Sequence, residues 1–227
     1  MRDGNAMYDA SRPGAAHGPI PRAAIALGPG LSSFCASLRV ATQDEHAAVE
    51  RQIRLPDGIA TLEVYRDFLR GFLAVHRPLG RAILALPGWE VTGIDPRERV
   101  RTADLEADLR ALGADPACLH RPEEHVRPGG SIAGALGTLY VLEGSTLGGL
   151  VIARALRERF GDAIVGAMAF LAGRGPQTVP MWRRFKAALD AYGLAFPEQA
   201  DAVIAGARAT FAAHCRQLPT MPSGLLS

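Results

Sequence analysis

The segment Leu38-Arg39-Val40-Ala41-Thr42-Gln43-Asp44-Glu45-His46-Ala47-Ala48-Val49-Glu50 holds a histidine whose neighbours suit coordination chemistry. At 100° per residue, His46 falls on the stripe formed by Leu38, Thr42, Val49 and Ile53, so its imidazole points inward. Arg39 stands seven residues earlier on nearly the same side, about 10 Å away along a continuous helix. It would place a cation near the far edge of anything His46 holds. Glu50, one turn later, could accept the other ring N–H, fixing the tautomer and raising the basicity of the coordinating nitrogen. A histidine on a helix is nevertheless more often a satisfied core or surface residue than a ligand.

A second unusual feature is Tyr140-Val141-Leu142-Glu143-Gly144-Ser145-Thr146-Leu147-Gly148-Gly149, three glycines inside an otherwise helical stretch. Each interior glycine costs about 1 kcal/mol relative to alanine, roughly 3 kcal/mol together. Two explanations stay open. Gly144 and Gly148, and likewise Ser145 and Gly149, are four apart and could pack a second helix closely. Alternatively, a flat ligand lies against the exposed backbone and the helix bends there. A helix with an inward histidine and a second helix softened by glycines would sandwich a porphyrin. Iron would sit on His46, the glycines would face the other side of the ring, and Arg39 would pair with a propionate.

These two segments carry a family resemblance. LRVATQDEHAAVE resembles the proximal helix of heme oxygenases, and YVLEGSTLGG resembles the distal helix of the bacterial biliverdin-producing members, especially those accompanying bacteriophytochromes. The likeness extends through Leu105–Gly113 (LEADLRALG) and Trp182-Arg183-Arg184-Phe185, over residues 31–218. It implies an all-α, single-domain fold with heme between the proximal and distal helices. It also implies that His46 is the proximal iron ligand, that Arg39 and Tyr140 contact propionates, and that Gly144, Ser145, Gly148 and Gly149 face the distal side of the heme. Ser145, Gly148 and Gly149 would steer the oxygen chemistry. Arg183, Arg184 and Lys186 are candidates for the second propionate, with a solvated cationic face as the alternative. Animal members carry an aspartate in the distal helix where this chain offers Ser145 and Thr146, which implies a proton route through ordered water and backbone carbonyls.

The activity implied is cleavage of heme b, at once cofactor and substrate, by dioxygen to biliverdin, carbon monoxide and iron. A neutral imidazole suits this chemistry, whereas a thiolate ligand would favour O–O cleavage. No flavin or nicotinamide fingerprint occurs, so electrons would come from an external donor such as ferredoxin or a flavin reductase, and a bacteriophytochrome could accept the biliverdin. The competing function is a heme carrier or sensor that keeps the fold and His46 without degrading heme.

The elements that must position these residues are helical. The 227 residues are 48% hydrophobic and 6% aromatic, with little β-branched alternation, which points to one all-α globular domain. A formal charge of +2 argues against nucleic acid as a partner. Three widely spaced cysteines, Cys35, Cys118 and Cys215, form neither a disulfide framework nor a zinc site, and no export signal is apparent, so a cytoplasmic setting is expected. Residues 1–30, rich in Gly and Pro, read as a flexible arm, and residues 219–227 as a tail. The expected helices run from Ser32 or Ser33 to about Arg54, from Thr61 to Leu86 with a kink or division at Pro78, from Pro96 to Leu112, from Ser131 to Phe160, from Val179 to Tyr192, and from Pro197 to Leu218. Glu143 and the glycines argue against the Ile132–Ala153 stretch spanning a membrane. His120, Glu123, Glu124 and His125 are read as a polar connection rather than a metal site, and no Glu-x-x-His pair supports a di-iron centre. His76 is read as a core or surface residue, with a role as an alternative iron ligand less favoured.

Overall fold

Ser33, Thr61 and Ser131 each start a helix by the same device. Their side-chain oxygens accept the N–H of the residue three positions on, Ala36, Val64 and Gly134. A computed structural model describes residues 33–55, 57–118 and 130–220. The arm at residues 1–30, the His120–His125 cluster and residues 221–227 lie outside the described residues. The helices are α1 (Phe34–Ala41), α2 (Gln43–Ile53), α3 (Leu62–Ala85), α4 (Thr102–Ala111), α5 (Ile132–Phe160), α6 (Thr178–Ala195) and α7 (Ala200–Gln217). No strand occurs among the described residues, in keeping with the all-α expectation.

Two expected helices are divided. The first breaks at Thr42, whose hydroxyl donates back to the Leu38 carbonyl at 2.8 Å and whose backbone sits at φ −122°, ψ 10°. A hydroxyl that bonds its own preceding turn competes with the helical ladder, and here it bends the chain between Arg39 and His46. The ladder resumes at once, with the His46 N–H on the Thr42 carbonyl. The second break separates a 3₁₀ turn at Pro96–Glu98, capped by Asp95, from α4, with the non-helical Arg101 between them. Pro78, by contrast, does not divide α3.

The long apolar helix α5 is the centre of the molecule. Of an 18-residue apolar window in the membrane-length stretch that includes it, 61% is buried within the protein. Its most extensive partner is α7, and the two backbones meet through small residues. A Cβ on Gly137 would stand 1.9 Å from the Val203 carbonyl oxygen, and one on Gly206 would stand 2.1 Å from that of Gly134. Only glycine permits an approach this close. Thr210 and Thr138 hydroxyls meet across the same seam at 3.2 Å. The apolar core lies on both sides of α5. One part joins Leu38, Leu139, Phe185 and Leu189, and the other joins Phe68, Phe72, Leu105, Leu156 and Phe170.

Candidate functional site

Helices α2 and α5 face each other across a cleft of about 320 Å³, a size in the range of small-molecule sites. From α2 the lining takes His46, Val49, Glu50 and Ile53, one stripe at helical spacing. From α5 it takes Tyr140, Gly144, Ser145, Gly148 and Gly149, with Val141, Val151 and Ile152 beside them. The inner wall is largely aromatic, built from Phe68 and Phe72 of α3, Phe170 and the aliphatic Leu171 of the segment after α5, and Phe211 and His214 of α7.

His46 is held from two sides. The Phe211 ring packs edge-on against it with centroids 5.7 Å apart, and Glu50 Oε2 lies 3.5 Å from Nδ1. That carboxylate contact is longer than a normal hydrogen bond, yet it orients the ring so that Nε2 is the atom suited to a ligand in the cavity. Ser145 donates its hydroxyl hydrogen to the Leu142 carbonyl at 2.7 Å, so towards the cavity it is an acceptor.

The glycines of α5 divide between the two explanations the sequence left open. A Cβ on Gly144 would make only an ordinary contact, 3.6 Å from the Trp182 ring. Gly149 lines the cavity and also packs tightly, since a Cβ there would stand 3.1 Å from the Leu171 carbonyl oxygen. The small-residue helix seam is real, but on α5 it lies at Gly134 and Gly137, before the glycines singled out by sequence, and it meets Gly206 of α7.

Leu171 and its neighbours are pinned from behind by two buried charged residues. Asp108 accepts the N–H groups of Ala169 (2.7 Å) and Phe170 (2.8 Å). Arg101 donates to the carbonyls of Phe170 (2.7 Å), Ala169 (2.7 Å) and Gly173 (3.3 Å), with Asp104 on its Nε. Together they fix the segment that carries two residues of the cavity wall.

No Lys or Arg lines the cavity among the described residues. Arg39 is exposed on α1, beyond the break at Thr42, and Arg183 is exposed on α6, so both stand outside the lining. Arg184 is exposed, and its charge acts on Glu143. Lys186 is buried over the Trp182 ring at 5.9 Å, which removes it from any solvated face. Tyr140 does line the cavity, its ring 5.7 Å from Trp182. Glu143 turns away from the cavity to pair with Arg99, whose guanidinium also reaches the Met181 carbonyl. Burial pushes the Glu143 carboxyl up to about 7 against the opposing pull of Arg99.

Sequence reasoning missed His214 and Phe211, although both lie on the inward stripe of α7 with Ala207 and Thr210. It also missed Arg101 and Asp108, whose partners lie more than 60 residues away and leave no local pattern. His76 is buried and does not line the cavity.

Known proteins resemble this chain in sequence and in fold. The heme oxygenase family model matches residues 32–218. A heme oxygenase from Xanthomonas campestris pv. campestris (strain 8004) is 38% identical over 162 residues, covering 70% of this chain and 90% of that protein. Among solved structures, the NO- and CO-bound heme oxygenase of Neisseria meningitidis superposes with a TM-score of 0.70 at 23% identity, over 87% of this chain and 100% of that one. Heme oxygenase from Leptospira interrogans gives 0.58 at 18% identity, over 82% and 98%. Both structural likenesses concern the fold.

Proposed function

The chain belongs to the heme oxygenase family and degrades heme, and from that premise we propose how its own residues do so. The carrying observation is that His46 and the glycine turn of α5 face one apolar cavity from opposite helices. An apolar cleft with a histidine on one helix and glycines on the helix opposite is what a flat, iron-bearing ring requires. His46 Nε2 would hold the iron, with Glu50 on Nδ1 setting the tautomer. Gly144, Gly148 and Gly149 would let the ring approach the backbone of α5, and Ser145 would accept a hydrogen bond on that face. Tyr140 is the propionate contact we assign from the lining, while Arg39 and Arg183 would act as cations from outside it.

When bound, heme supplies both the iron that activates dioxygen and the ring that is cleaved. The protein's part is to bind, orient and exclude water. Phe68, Phe72, Phe170 and Leu171 close the inner wall, and the Arg101–Asp108 clamp keeps that wall from yielding. The products would be biliverdin, carbon monoxide and iron, with electrons from a separate ferredoxin or flavin reductase. A bacteriophytochrome as biliverdin acceptor accords with the distal motif YVLEGSTLGG. The three free cysteines accord with a cytoplasmic setting. The carrier or sensor alternative is not favoured, because the family is one of heme-degrading enzymes.

Hemin titration tests the ligand. Wild type should bind one equivalent with the spectrum of an imidazole-ligated iron. His46→Ala should lose that ligand field and all turnover while retaining weaker heme binding through the apolar walls, and added imidazole should restore part of the spectrum. An unchanged spectrum in His46→Ala would remove His46 from the iron.

A further inference from the structure

His214 and His76 are two buried histidines that the heme site as described does not use. His214, on α7, lines the inner wall of the cavity, and His76, on α3, stands beside it, each 3% exposed. Their ring centroids are 5.8 Å apart with planes nearly perpendicular at 83°. Phe72 packs 5.1 Å from His214 and 5.6 Å from His76, and Phe170 packs 5.1 Å from His76. These ring contacts are aromatic and give neither Nε2 atom a polar partner.

The tautomer of His214 follows from one contact. Its Nδ1 lies 2.9 Å from the Thr210 carbonyl, which can only accept, so Nδ1 carries the hydrogen and Nε2 carries the lone pair. Nε2 of His214 and Nε2 of His76 are both buried and have no hydrogen-bond partner among the described residues. Two such nitrogens in an apolar wall are costly unless something bonds both. The occupant must donate to His214, must be small enough to reach a nitrogen on each of two rings packed edge-on at 5.8 Å, and need carry no charge.

We propose that His76 and His214 form a site for one water molecule at the inner wall of the cavity, hydrogen-bonded to Nε2 of each ring. One water held about 2.9 Å from each nitrogen, donating to His214 and either donating to or accepting from His76, spans nitrogens up to about 5.8 Å apart, a reach that neighbouring rings with these centroids allow. Burial holds both imidazoles neutral, with His76 well below its ordinary value and His214 at about 4, so the pair presents no charge that would call for an anion. The water gives an otherwise aromatic wall one fixed hydroxylic group, and His214 is the residue that positions it on the cavity side. The site rests on the packing and hydrogen bonding of the two imidazoles and stands whether or not the cavity cleaves heme.

The test uses the full-length, heme-free chain. Long-range ¹⁵N–¹H spectra of the labelled protein should show His214 protonated at Nδ1 and bare at Nε2, and through-space cross-peaks should connect water to ring protons of both histidines. His76→Phe should abolish the water contact at His214, and His214→Phe should abolish that at His76. In urea, each single replacement should lower the folding equilibrium constant about 10-fold, because it strands the other nitrogen. The double replacement should cost no more than the larger single one. Absence of water contact at both rings of wild type would overturn the site, and so would two single variants that fold as well as wild type. Should a variant fail to fold, the wild-type spectra decide alone.

Discussion

Gly137 and Gly144 sit seven residues apart on α5, and the same replacement by alanine should have opposite effects at the two positions. Helix propensity favours alanine over glycine by about 1 kcal/mol at either. At Gly144 the new methyl would meet only the Trp182 ring at 3.6 Å, an ordinary contact. The heme-free protein should therefore gain roughly 0.5–1 kcal/mol. At Gly137 the methyl would stand 1.9 Å from the Val203 carbonyl oxygen and 2.8 Å from the Ala207 nitrogen. Both are main-chain atoms of α7, so no rotamer change can relieve the clash and the helices must separate. Overpacking of a core costs about 1–3 kcal/mol, and a backbone-on-backbone clash belongs at the upper end. After the propensity gain, a net loss of about 2 kcal/mol remains. For a domain of this size that corresponds to a Tm lowered by roughly 4–8 °C, against a rise of a few degrees for Gly144→Ala. Urea unfolding of the heme-free proteins, followed by far-UV circular dichroism, measures both. A Gly137→Ala variant as stable as wild type would refute the assignment of the seam, as would a Gly144→Ala variant destabilised to the same degree. Gly149→Leu should fall between these roles, pressing on the Leu171 carbonyl and filling the cavity, so that both stability and heme affinity drop.

Asp108→Ala should lose two backbone hydrogen bonds and cost roughly 2–3 kcal/mol in urea, and because Phe170 and Leu171 line the cavity, hemin titration should show weaker binding as well. The pH dependence of stability carries a signature of His214. Burial pushes its imidazole from the ordinary 6.5 to about 4, so the folded state holds fewer protons than the unfolded chain between these values. Stability should then be lost as pH falls from about 6.5 to about 4, by about 3 kcal/mol over the window from this residue. His214→Phe should flatten that part of the curve, and an unchanged slope would show that the residue is not neutral and buried.

The local devices of this fold were legible because they act within a turn or two. Serine or threonine immediately ahead of a helix start announces α1, α3 and α5, and the spacing of His46 with Val49 and Ile53 announces an inward face. The glycine run of α5 announced that something approaches the backbone, but not what. The answer is a cavity at Gly144 and both a cavity and the Leu171 backbone at Gly149. The break at Thr42 was hidden because a threonine side chain that bonds the preceding carbonyl is compatible with a continuous helix pattern. It matters for the site, since the expected alignment of Arg39 with His46 assumed an unbroken axis. The clamp of Arg101 and Asp108, the Gly137–Gly206 seam and the pairing of His214 with His76 all join residues distant in the chain. Such contacts arise only from the packing of helices, and a single sequence carries no mark of them.

Single turnover tests the account most directly. Purified protein loaded with one equivalent of hemin is given an electron donor under air, and the absorption spectrum and evolved gas are followed together. The expected result is loss of the heme spectrum, appearance of a biliverdin spectrum and release of one equivalent of carbon monoxide, all abolished in His46→Ala. A reduced or dioxygen-bound complex that persists with a competent reductase present, and never yields an open tetrapyrrole, would contradict it.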